Sequence, residues 1–119
     1  MIEAPFATTA AVLTAGLGLW GLVAPREVAA FVGVEPQGAR GVAELRATYG
    51  GLFAALGVFR LIAQSNVAFA AAAAAWWGAA GGRLLAIGLA RGGCARNWGG
   101  VLVEAGLGTL FLLDLALFA

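Results

Sequence analysis

The chain alternates long apolar runs with short polar breaks. Apolar residues fill 5–24, 42–63, 67–90 and 98–118. Each run is close to the ~20 residues a helix needs to cross the hydrocarbon core of a bilayer. Pro25, Gln64-Ser65-Asn66 and the stretch 91–97 separate them. No segment alternates polar and apolar residues with period two, as a membrane barrel requires, and the alanine run 70–75 favours helix. The pattern therefore predicts an all-α fold: an integral membrane four-helix bundle, with residues 1–119 forming a single domain. Short breaks make neighbouring helices antiparallel. Between the first two runs, Val28, Phe31 and Val32 fall on one helical face, which predicts a short interfacial helix between spans one and two; an irregular loop is the alternative. The first run follows Glu3 and no Arg or Lys, so it reads as a retained helix rather than a signal peptide. Pro5 suits its first turn.

Composition points to the same solvent. Hydrophobic residues make up 62% and charged residues 11%, against about 25% charged in an ordinary soluble domain. That excess of apolar surface is expected to face lipid. Histidine is absent and Cys94 is the single cysteine. This excludes an intramolecular disulfide, histidine-ligated haem or zinc, and four-cysteine iron–sulfur sites, so no cofactor and no metal are predicted. A net charge of +1 gives no basis for nucleic-acid binding. There is no Ser/His/Asp or Cys/His arrangement, so no catalytic residue is assigned; acid–base chemistry on a membrane substrate stays open.

All seven cations are arginines. Four spans put both termini on one side and the connections 25–41 and 91–97 on the other. That second side holds Arg26, Arg40, Arg91 and Arg96, with Arg46 and Arg83 nearby, leaving Arg60 on the terminus side. The positive-inside rule then predicts cytoplasmic connections and both termini outside, in a bacterial inner (cytoplasmic) membrane.

Charges within the spans carry the candidate chemistry, because each costs ~2.5–3.5 kcal/mol to insert. Arg83 and Glu104 lie at matching depths, ~10 Å below the cytoplasmic ends of spans three and four, which predicts a buried pair. Glu44, Arg46 and the Tyr49 hydroxyl are expected within one or two turns of it, completing one polar network. Two readings of the network stand: a register-fixing ion pair, or a ligand-binding or relay site open to the cytoplasmic leaflet. Arg60 and Asp114 read as interface anchors that snorkel.

Glycines supply the other pattern. Gly50 and Gly57 share a face of span two, and Gly100 and Gly108 flank Glu104 at four-residue spacing. Such positions let helices approach closely, within the bundle or against a partner. Trp98 suits the membrane interface, whereas Trp76 and Trp77 read as too deep for an interfacial belt and as facing lipid, a partner or an apolar ligand. Cys94, in a cytoplasmic connection near the membrane, is read as an unmodified thiol, with palmitoylation as the alternative.

The stretch Glu44-Leu45-Arg46-Ala47-Thr48-Tyr49-Gly50-Gly51, followed at wide spacing by Gly82-Arg83 and Glu104, resembles a family of small bacterial four-helix membrane proteins, domain of unknown function 4345, related to the DoxX-like proteins. The resemblance covers nearly the whole chain. It implies the same fold and polar cluster, and no activity. The association of some DoxX-like proteins with membrane oxidoreductases implies an accessory role. Three functions follow as expectations. The first is a non-catalytic accessory or assembly subunit of a membrane complex or homo-oligomer. The second is a binder or carrier of a lipid-like or quinone-like molecule at the Arg/Glu cluster. The third is a proton-coupled small transporter using Glu44 or Glu104.

Overall fold

A computed structural model describes residues 4–90 and 95–118; Glu3, Arg91 and Cys94 lie outside the described residues. The described chain is all-helical, with no strand. Helix α1 is Pro5–Val23, α2 is Pro25–Val32 and α3 is Gly38–Leu45; a π-helical segment, Arg46–Leu52, joins α3 to α4, Phe53–Ile62. Helices α5, Asn66–Ala90, and α6, Ala95–Phe118, complete the chain. Residues Gly38–Ile62 run as one helix, so the second long helix starts four residues before the apolar run that announced it. Its first turns carry Arg40 and Glu44, which apolarity alone does not register.

The helix boundaries have local causes. Pro25 sits at the start of α2, where its missing N–H costs nothing. Gly33 ends α2 at φ 84°, a left-handed conformation that glycine adopts without a side-chain clash. The Val34 N–H then reaches back to the Ala29 carbonyl at 2.8 Å, closing a Schellman turn. Ser65 Oγ accepts the Ala68 N–H at 3.2 Å and so starts α5. Within α2 the buried face is Pro25, Val28 and Ala29. Phe31, expected beside Val28, is exposed; its ring lies 5.4 Å from that of Trp20.

The chain divides into two compact units, one of residues Ala11–Ala63 and the other of Gln64–Ala119 with residues up to Ala10. In the first, α1 and the Gly38–Ile62 helix run antiparallel with their backbones in contact. A Cβ added at Gly18 would strike the Ala54 backbone, one at Gly21 the Tyr49 backbone, and one at Gly57 the backbone of Ala11 and Ala15. A Cβ at Gly50 would sit 2.9 Å from the Leu22 nitrogen. Small residues on both helices therefore set the interhelical distance. The π-helical segment lies at this contact and contains the Gly50-Gly51 pair, a local composition that lets a helix widen.

In the second unit α5 and α6 pack along their length. Phe69, Ala72, Ala73, Trp76 and Ala80 form the buried stripe of α5, and Leu107 and Phe111 that of α6. Trp76 thus faces the interior rather than an outer partner, because it continues this stripe at spacings of three and four. Trp77, its neighbour, is 45% exposed, and a Cβ at Gly108 would lie 2.6 Å from its indole.

Glycine contacts yield a paired prediction. Gly57→Leu should lower the unfolding free energy of the purified protein by about 1–3 kcal/mol, since the added carbons meet backbone. Gly78→Ala, where a Cβ meets open space, should raise it by about 0.5–1 kcal/mol. Reversible denaturant titration followed by circular dichroism measures both.

Candidate functional site

Charged side chains inside the long helices are used at helix ends. Asp114 on α6 is 5% exposed, and its Oδ2 accepts the Ala7 N–H at 2.7 Å. Ala7 is in the first turn of α1, whose amides have no partner within the helix. Arg46 Nε donates to the Leu22 carbonyl at 3.1 Å, one of the orphan carbonyls at the other end of α1. Arg60 is 1% exposed, and its two terminal nitrogens donate to the Ala63 carbonyl at 3.0 Å, just past the end of α4. In each case the sign of the charge opposes the helix dipole: an anion at an N-terminus, cations at C-termini. Snorkelling does not describe Arg60 and Asp114. Both are buried, because a backbone terminus within reach offers a better partner than the interface.

Arg83 and Glu104 pair directly. Arg83 Nε lies 2.7 Å from Glu104 Oε1 and its Nη2 3.2 Å from Oε2, a two-pronged arrangement that suits guanidinium and carboxylate geometry. The side chains are 23% and 13% exposed. Gly100 makes room for this pair: a Cβ there would sit 2.6 Å from Arg83 Nε. Gly100 and Gly108, either side of Glu104, thus form two recesses in α6 that receive Arg83 and Trp77 from α5. A bidentate pair with its own recess leaves little capacity for a ligand.

Glu44, Arg46 and Tyr49 belong to the other compact unit. Arg46 is engaged with α1, and Glu44 and Tyr49 line a groove of about 530 Å³. One wall is Val34, Glu35, Pro36 and Gln37; the other is a single face of the following helix, Arg40, Gly41, Glu44, Leu45, Thr48 and Tyr49. Thr48 and Tyr49 lie in the π-helical segment and continue this face at four-residue spacing from Glu44 and Leu45. At its base the loop closes on the helix, since a Cβ at Gly41 would lie 3.0 Å from the Pro36 backbone. Glu44 and Arg40 have no hydrogen-bond or ion-pair partner among the described residues, and both are exposed in the groove.

The sequence reading missed the caps and most of this groove. A signal for Asp114 existed: in an antiparallel layout the end of α6 and the start of α1 share a side. Gln37, Arg40, Glu44 and Thr48 were also readable as one face, at spacings of three and four, had the helix been started at residue 38. Comparison with protein-family models, with curated proteins and with solved structures gives no match.

Two predictions follow from these pairings. Asp114→Leu should cost about 1–2 kcal/mol through the lost cap, and Asp114→Asn, which keeps an acceptor oxygen, clearly less. Arg83→Leu or Glu104→Leu alone should cost about 3 kcal/mol, whereas the double variant should lie close to wild type. A double-mutant cycle in the same unfolding assay reads the coupling.

Proposed function

We propose that the chain is a multi-span membrane protein, laid out like the DoxX-like proteins, that acts as a non-catalytic accessory or assembly subunit. One observation carries this reading: helices apolar around their whole circumference turn large side chains outward. Helices α1, α5 and α6 have no marked polar face, and a helix of that kind belongs in a protein core or in lipid. Yet Val67 is 81% exposed, and Val23, Leu85, Leu89 and Leu102 are also well exposed. Helix α1 and the Gly38–Ile62 helix are long and apolar enough to cross a membrane by length and composition, and α5 and α6, of 25 and 24 residues, reach ~36 Å. On this reading they make four spans, and one-sided α2 lies at the interface.

The assembly role draws on the engaged charges and on open glycines. Among the described residues, Asp114, Arg60, Arg46, Arg83 and Glu104 are committed to backbone or to each other, and the uncommitted Arg40 and Glu44 stand in the first turns of the Gly38–Ile62 helix. The pairing with Arg83 weighs against a proton-coupled transporter at Glu104. Gly78, Gly81, Gly82 and Gly88 of α5 have open space where a Cβ would stand, room for a close-packed helix of a second protein or a second copy. The groove beside Glu44 favours a second reading, a binder of an amphipathic molecule.

Membranes containing the protein should retain it through alkaline carbonate extraction. Cys94, the single cysteine, should react with an impermeant maleimide in inverted vesicles and not in right-side-out ones. Release by carbonate, or the reverse labelling, contradicts the membrane reading or the orientation respectively. Extraction in a lipid-preserving polymer should yield a defined partner or a multiple of 11.9 kDa, and Gly82→Leu should dissociate it without loss of helicity; a clean monomer rules out the assembly role.

A further inference from the structure

The buried charges are spoken for, and three of the uncommitted ones, Glu35, Arg40 and Glu44, stand together. Among the described residues, Arg40 and Glu44 have no bonding partner, they stand one turn apart on the same helix face, and both line the groove with Glu35. Between and behind them lie Val34, Pro36, Leu45 and the Tyr49 ring. The groove therefore offers one guanidinium, two carboxylates, the Gln37 amide and the Thr48 and Tyr49 hydroxyls above an apolar floor. A ligand that satisfies all of these carries a cation and an anion a few ångströms apart and a hydrophobic tail. Two carboxylates against one guanidinium disfavour a ligand of net negative charge. On the orientation proposed above, the groove opens at the headgroup level of the cytoplasmic leaflet, beside the one-sided helix α2.

We infer that this groove binds the zwitterionic headgroup of an ethanolamine phospholipid, with the ammonium on Glu44 and Glu35, the phosphate on Arg40, and the upper acyl chain along Leu45 and Val34. The inference rests on the membrane reading and names the molecule for its second form, the amphiphile binder. A primary ammonium has three N–H donors and makes charge-assisted bonds to carboxylates. A choline headgroup has none, and would bind instead through its methyl groups over the Tyr49 ring. Guanidinium suits phosphate for the same bidentate reason that it suits carboxylate. The close approach of Pro36 to Gly41 holds the backbone of the wall carrying Glu35 against the helix carrying Glu44, so both walls of the groove are in place before any ligand arrives.

The test is native mass spectrometry of the full chain, delipidated in detergent and titrated with dioleoyl phosphatidylethanolamine, its choline analogue or its glycerol analogue. The ethanolamine lipid should be retained roughly fivefold better than either analogue, the preference expected for one net hydrogen bond at an exposed site. Glu44→Gln should abolish that preference and Arg40→Gln should weaken binding of all three lipids. Both residues are exposed, and unchanged circular dichroism and elution would show that the variants fold. Equal retention of all three lipids, stronger binding of choline or glycerol lipid, or an unaltered preference in Glu44→Gln overturns the inference. Displacement of the lipid by free phosphoethanolamine would overturn the lipid source and make the occupant a soluble zwitterion. Carbonate extraction separates the two levels: a protein that stays in the bilayer but shows no headgroup preference loses only the groove, whereas one that is released loses the membrane reading itself.

Discussion

Every helix ends in backbone groups that its own turns cannot satisfy, and where such an end is buried its partners must come from the protein. This constraint accounts for three of the charges inside the long helices. The α1 helix receives a carboxylate from Asp114 at its start and a guanidinium from Arg46 at its end, and Arg60 closes the end of α4. Each group is costly in isolation and favourable where it stands, because it meets the opposite end of a helix dipole. Arg83 and Glu104 instead satisfy each other, side chain to side chain.

Glycine does the complementary work on the apolar side. Small residues let helix backbones approach closely enough for close packing and polar contacts to hold them. Gly18, Gly21, Gly50 and Gly57 bring the backbones of α1 and the Gly38–Ile62 helix into contact, which also brings Arg46 within reach of the Leu22 carbonyl. Gly100 and Gly108 have a different purpose: they admit the bulky side chains of Arg83 and Trp77 rather than a backbone. The same residue type thus sets a helix separation in one unit and seats a guanidinium and an indole in the other.

Much of the helical layout was legible in the sequence, because apolar run length and proline position are local signals. The starts of α1 and α5 and the short helix α2 fall within a residue or two of the expected places. The Arg83–Glu104 contact was legible too, since depth along two helices joined by a short connection is simple arithmetic. What was not legible depends on tertiary proximity. A buried Asp114 or Arg60 looks like an interfacial anchor until the backbone end beside it is seen. The expected single network of five residues rested on placing Glu44 and Arg46 by depth alone. Arg46 instead turns to the end of α1, and Glu44 opens into a groove whose second wall, the loop 34–37, has no periodicity to read.

We propose that lipid solvates the outward apolar faces of these helices, and the tryptophans test it directly. Trp77 is 45% exposed whereas its neighbour Trp76 is 4% exposed. Single-tryptophan variants reconstituted in bilayers with brominated acyl chains should show strong quenching of Trp77 and weak quenching of Trp76, with aqueous iodide affecting neither. Efficient iodide quenching of Trp77 with no effect of the brominated chains would contradict the account, because it would put water where lipid is expected.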